Sequence, residues 1–207
     1  NYSQIFIIWD KMFGTFQREL EDVKPVYGIL RPAKTWNPIL INFKHTYQLC
    51  KDAWRAEGFY DKLRIWFMPT GWRPEDVEAR YPLEYIKDPQ QLMKYETNNS
   101  FLFICWSWFQ FGVALFFMLH MFSVIHNYPG NPGYLYVALI FLHIFSFTTL
   151  LDGKWHGVIA EILKIVAAGY ILYSQDFTWY GLSGEFVHVI SIYFITSLAF
   201  TLKKLFK

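Results

Sequence analysis

Residues 100–125 read SFLFICWSWFQFGVALFFMLHMFSVI and carry no Asp, Glu, Lys or Arg. A helix needs about 20 apolar residues to cross the hydrocarbon core of a bilayer, and this run supplies more. Three further apolar stretches follow: 133–151 (GYLYVALIFLHIFSFTTLL), 157–173 (GVIAEILKIVAAGYILY) and 186–202 (FVHVISIYFITSLAFTL). Inside lipid the backbone must satisfy its own hydrogen bonds, so each run is expected to be a helix. The expected fold is therefore all-α and integral to the membrane, with four transmembrane helices.

Charge is distributed unevenly around these spans. Of the 19 Lys and Arg residues, 14 precede Ser100. That shift divides the chain into a charged first part, residues 1–99, and a greasy second part, residues 100–207. The linkers differ as well. NYPGNP at 127–132 is uncharged and 174–185 carries only Asp176 and Glu185, whereas 152–156 contains Lys154 and the tail reads LKKLFK. Basic residues collect on the cytoplasmic side, so Lys154, the C-terminus and residues 1–99 are all expected there. The net charge of +2 gives no reason to expect nucleic acid as a partner, which would need a concentrated basic face. Cys50 and Cys105 fall in different parts, make no metal-type spacing and read as reduced packing residues.

Residues 1–99 read as an amphipathic, membrane-surface helical cap. In TWNPILINFKHTYQLCKDAW, Asn37 can cap a helix that Pro38 begins. Ile39, Phe43, Tyr47, Cys50 and Trp54 recur at helical spacing and form one apolar stripe. Gly58 can end this helix, FYDKLRIWFM starts another, and Pro82 and Pro89 exclude a long helix between 74 and 99. Basic and aromatic residues on opposite faces make the pattern of an interfacial helix. A small soluble subdomain that buries the stripe in its own core fits the same spacing.

Polar residues inside the spans are the candidate site. A lone Lys164 would cost about 2.5–3.5 kcal/mol in the third span, and Glu161 lies close enough to pair with it along the helix. Asp152 and His156 lie at the entry to that helix, so Asp152, His156, Glu161 and Lys164 could form one inward strip. That strip is either a ligand pocket or a mutually neutralising pair beside a helix-entry loop. His120 and His143 also lie within spans, as cross-helix packing residues or, with Glu161, as metal ligands.

The opening NYSQIFIIWDKMFGTF, then VYGILRP at 26–32 and TWNPI at 35–39, resembles the fatty acid hydroxylase and sterol desaturase superfamily. The nearest resemblance is to its branch of alkylglycerol monooxygenases. It is distinctive over about the first 40 residues. LLDGKWHGVIAEILK, at 150–164, resembles a later segment of the family more weakly. The resemblance implies a membrane oxidoreductase that activates oxygen at a di-iron centre and hydroxylates a lipid. For the nearest branch the substrate would be an ether lipid, cleaved through a hemiacetal, with tetrahydropterin as the electron source. Sister branches would hydroxylate or desaturate sterols or fatty acyl chains. The family's histidine boxes are absent here: His45, His120, His126, His143, His156 and His188 are isolated. The resemblance therefore implies ligands upstream of Asn1, no metal ligand or catalytic residue in this chain, and a chain inactive alone. On the same resemblance Trp9 and Asp10 would lie beside the last ligand box, with Asp10 orienting a ligand histidine. The alternative is that Asp10 and Lys11 form the solvated side of a surface helix. Ile5, Trp9, Met12 and Phe16 are expected on its apolar face. Were the chain complete as given, it would be a non-catalytic lipid-binding or assembly module.

Overall fold

A computed structural model of the chain describes residues 6–205 apart from 23, 24, 27–30, 87, 89, 91 and 92. Ile5, Pro89 and much of the 26–32 stretch lie outside the described residues. The chain divides into two units, Asn1–Pro32 with Leu83–Met93, and Ala33–Pro82 with Lys94–Lys207. The larger unit thus runs across residue 100, where composition shifts.

In the smaller unit the opening helix α1 spans only Ile7–Met12. The expected longer apolar face does not form, because the chain turns at Gly14, whose φ is +69°. Glycine takes that left-handed conformation without the steric cost of a Cβ. The amides of Thr15 and Phe16 both return to the Asp10 carbonyl, at 2.9 and 3.1 Å. Phe16 therefore lies beyond the helix rather than on its stripe.

The larger unit begins with α2, Pro38–Arg55, capped as its sequence requires. The Asn37 side chain accepts from the amides of Ile39 and Leu40. Helices α3 (Phe59–Arg64) and α4 (Glu75–Arg80) follow. Helix α4 falls in a stretch whose polarity and prolines gave no helical signal. Its anchor is Arg73, just ahead of it, which binds Asp52 of α2 in a fork. Nε donates to Oδ2 at 2.7 Å and Nη2 to Oδ1 at 2.9 Å, while Nη1 donates to the Tyr81 carbonyl. Gln48 donates to the same carboxylate. Burial by itself would push the Asp52 carboxyl up, but these hydrogen bonds and the Arg73 charge outweigh it and hold the group below its ordinary range.

With Asp52 turned inward, the apolar stripe of α2 faces out. Phe43, Tyr47 and Trp54 are all exposed, Trp54 at 86%, and Phe59, Leu63 and Phe67 extend the same kind of surface. The stripe is not buried in a core of its own segment, so the soluble-subdomain reading does not describe this fold.

Four long helices complete the unit: α5 (Phe101–Val124), α6 (Asn131–Leu151), α7 (His156–Ser174) and α8 (Glu185–Leu205). All four are long and apolar enough to cross a membrane, and the chain is an all-α integral membrane protein. Short connections alternate their directions. The start of α5, the end of α6, the start of α7 and the end of α8 therefore share one end of the bundle. At the other end the α7–α8 loop carries Trp179 and Tyr180 into the core. Tyr180 stacks on Tyr136 of α6 at 4.4 Å between ring centroids, and its hydroxyl donates to the Pro132 carbonyl.

Removing either member of a buried ion pair leaves the other charged and desolvated, at a cost of about 3–5 kcal/mol. Asp52→Ala and Arg73→Ala are each expected to loosen residues 38–82 by that order, with faster hydrogen exchange there and unchanged exchange in α6. The depressed Asp52 value gives the pH dependence its sign. Its contribution is present above the unfolded carboxyl value and is lost as pH falls through the lower folded one.

Candidate functional site: polar clusters within the bundle and at its end

Helix α7 positions the first cluster. Glu161 and Lys164 sit one turn apart on its inward face, both fully buried, with Nζ 2.8 Å from Oε1. Neighbouring helices complete the pair. Ser146 of α6 donates to Glu161 Oε2 at 2.6 Å, and Lys164 donates to the hydroxyl of Ser197 on α8 at 3.0 Å.

Adjacent to it lies a network in which His143 is the cross-helix packing residue that one reading expected, joined by Gln110 and Tyr193, which the sequence reading did not name. His143 Nε2 is 2.9 Å from the Gln110 carbonyl, and Nδ1 is 3.1 Å from the Tyr193 hydroxyl. A carbonyl oxygen can only accept, so Nε2 carries the proton and a neutral ring leaves Nδ1 as an acceptor. The Tyr193 hydroxyl also lies 3.2 Å from Gln110 Oε1. Its single proton can serve one of these two acceptors at a time. A lone amide at 110 in an otherwise uncharged run was the available signal, since a polar side chain within a span turns away from lipid.

The second cluster occupies the end of the bundle where α6 stops and α7 starts. Asp152 does not join the Glu161–Lys164 pair. Its carboxylate accepts from the Trp36 amide at 2.9 and 3.1 Å, from the Tyr95 hydroxyl at 2.9 Å and from the Thr35 hydroxyl. Desolvation, the bond to Asp152 and that carboxylate's charge push the Tyr95 phenol up from its ordinary value, so it stays a donor at neutral pH. Asn37 reinforces the junction by donating to Thr149 of α6 at 3.1 Å. Lys204 of α8 donates to Asn99 Oδ1 at 2.6 Å and to the Leu150 carbonyl. Asn99 in turn donates to the Leu151 carbonyl at 2.9 Å. Asn99 thereby satisfies the Leu151 carbonyl, and Lys204 adds a second donor to the Leu150 carbonyl, which also accepts from the Gly153 amide at 3.0 Å.

The remaining candidates lie apart from these clusters. His156 is half-buried, its ring tilted against Phe145 at 6.1 Å. His120 Nδ1 is 2.8 Å from the Tyr136 hydroxyl. In the smaller unit Trp9 is exposed, whereas Asp10 is 2% exposed and accepts from the Thr15 hydroxyl at 2.8 Å. Asp10 is therefore not the solvated side of a surface helix, as one reading had it; Lys11 is exposed. Among the described residues no group of three or more His, Cys, Asp or Glu is placed to hold a metal ion. His120, His143 and Glu161 do not make such a site, and the described residues do not fit a di-iron centre.

Comparison with known proteins gives the chemistry its context. The chain is 30% identical over 164 residues to alkylglycerol monooxygenase of Homo sapiens, a match covering 79% of this chain and 36% of that protein. It is 27% identical over 164 residues to the enzyme of the same name from Xenopus tropicalis, with the same coverage. With that of Caenorhabditis elegans it shares 27% identity over 198 residues, covering 84% of this chain and 37% of the relative. The chain thus spans little more than a third of the length of the curated relatives it matches. No family model matches it, and no solved structure matches it significantly. The resemblance carried by the opening stretch is borne out: the chain is similar to alkylglycerol monooxygenases and stands close to that enzyme and its superfamily.

Proposed function

We propose that this chain is part of a membrane lipid monooxygenase whose substrate is an ether lipid such as an alkylglycerol. The observation that carries the reading is the 30% identity to human alkylglycerol monooxygenase over 79% of the chain. A lipid oxidation also suits a bundle that is apolar on its outside. Hydroxylating the carbon beside an ether oxygen consumes O2 and two electrons and gives a hemiacetal, which collapses to an aldehyde and an alcohol. In this proposal the oxygen-activating iron is held by residues other than those described, and a reduced pterin supplies the electrons. The four spans of this chain provide a bilayer-embedded part, and their polar clusters fix its geometry. The direct test expresses the full-length gene product, measures iron per chain, and offers alkylglycerols and sterols with and without reduced pterin. Pterin-dependent aldehyde release from alkylglycerols is expected; turnover of sterols alone would reject the ether-lipid assignment.

Orientation belongs to the same proposal. Lys154, Lys203 and Lys204 share one end of the bundle, while at the other Asp176 lies in the α7–α8 connection and Glu185 begins α8, which favours a cytoplasmic position for the basic end. The outward apolar stripe of α2 then lies against the cytoplasmic leaflet. A reporter inserted at Asn131 is expected outside the cytoplasm, and one fused after the C-terminus inside it.

Asp10 is the proposed positioning residue, a buried carboxylate that would hold an iron-binding histidine from another part of the polypeptide. Losing such a support costs about 10–100-fold in metal affinity or activity. Asp10→Asn in the full-length protein is expected to lower iron per chain and turnover together, with a Glu replacement restoring part of both. Unchanged iron content would leave Asp10 a structural residue of the turn at Gly14.

A further inference from the structure

Where α5 begins and α8 ends, a half-open cavity of about 360 Å³ lies beside the Asp152 junction. That volume is within the range of ligand sites, about 300–1,000 Å³. Its polar wall is Asn98, Asn99, Ser100, Lys203 and Lys204, and its apolar wall is Leu102, Phe103 and Phe200. No carboxylate lines it.

The two lysines differ in a way that matters. Lys204 is fixed: its ammonium binds Asn99 and the Leu150 carbonyl and rests 3.7 Å from the centre of the Phe103 ring. Lys203 is exposed and has no ion-pair partner among the described residues. The nearby Asp152 is already occupied by Thr35, Trp36 and Tyr95. The cavity thus has one fixed cation in its wall and one available cation at its mouth. Helix α5 also starts here, and the amides of its first turn have no acceptor within the helix. Ser100 caps only the Phe103 amide, at 3.3 Å.

We propose that this cavity binds the phosphate of an anionic phospholipid. Lys203 supplies the counter-charge, Asn98 and Ser100 supply hydrogen bonds, and the acyl chain runs along Leu102 and Phe200. A lipid is favoured over free phosphate by position and by lining. The site lies at the ends of two membrane spans, and its apolar wall includes Leu102, which is 54% exposed. The inference does not depend on the proposed oxidation, because lipid retention is measured without turnover.

The test uses the full-length protein reconstituted in nanodiscs of phosphatidylcholine alone or with phosphatidylserine, then extracted into neutral detergent, with co-purifying lipid quantified by native mass spectrometry. Wild-type protein is expected to retain phosphatidylserine over phosphatidylcholine and to keep it in the presence of inorganic phosphate. One Lys near an anionic lipid surface contributes enough to change occupancy about five-fold, the drop expected for Lys203→Gln. Lys154→Gln, at the same end of the bundle but outside the cavity, serves as the control and should retain lipid as wild type does. Lys203 is exposed, so its replacement leaves the fold intact, and matching thermal unfolding curves verify this. Equal retention by Lys203→Gln and wild type, equal retention of the two lipids, an equal loss in Lys154→Gln, or displacement by inorganic phosphate would each overturn the proposal.

Discussion

One ion pair sets how the bundle can be assembled. Glu161 and Lys164 lie mid-span on α7, and either charge alone in hydrocarbon costs about 2.5–3.5 kcal/mol on insertion scales. Placed three residues apart, they neutralise each other on one face, and that face must then turn from lipid. The rotation of α7 follows from this. Gly157, Ala160, Ala168 and Ile171 lie on the same stripe and are buried with the pair. Ile159, Ile162, Leu163, Val166, Tyr170 and Tyr173 fall on the other faces and are exposed. Gly157 also permits the close approach of α6, since a Cβ there would lie 2.8 Å from Leu150 Cγ. Ser146 and Ser197 then fix the neighbours, each offering a hydroxyl to one member of the pair.

The basic end of the bundle is held by a different logic. The last turn of α6 presents carbonyls that no helical amide can reach, and the helix dipole places partial negative charge there. Lys204 answers both needs, adding a positive charge and hydrogen-bond donors. The Asp152 carboxylate, one residue beyond, would be unfavourable at that position if left bare. It is instead covered by donors from two stretches distant in sequence, around Trp36 and around Tyr95. The junction therefore ties the entry to α2, the approach to α5 and the exit of α8 to one helix terminus.

What could be read in the sequence follows from the range of each interaction. The spans were legible because bilayer thickness turns length and hydrophobicity into a single requirement. The start of α2 was legible because a cap needs only Asn37 and its next neighbours, and the Glu161–Lys164 pair because it is local to one helix. The partners of Asp152 were not legible, since spacing along α7 carries no information about Thr35 or Tyr95. Helix α4 was missed for a similar reason. Its anchor joins Arg73 to Asp52 across 21 residues, and a polar stretch looks the same whether its charges are solvated or paired. In α1 the apolar spacing suggested a longer stripe than the backbone allows once Gly14 turns the chain. Among the candidate site residues, Asp10 showed its carboxylate in the sequence but not its burial.

The same inversion governs α2 and the bundle. In water a helix hides its apolar side and solvates its charges, yet α2 buries Asp52 and exposes Phe43, Tyr47 and Trp54. Exposed apolar surface forgoes roughly 25 cal/mol per Å² of favourable burial, so a stripe of this kind is costly against water. Large contiguous apolar surface on a folded chain marks a contact with another protein or with a membrane. The four spans make the identical choice, with Gln110, His143, Glu161 and Lys164 inside and apolar side chains such as Phe101, Trp108, Leu119, Val166 and Ile195 outside. If α2 lies along the bilayer whose core α5–α8 cross, the Asp52–Arg73 and Glu161–Lys164 pairs answer the same demand. Charge that lipid will not solvate has to be solvated by the protein.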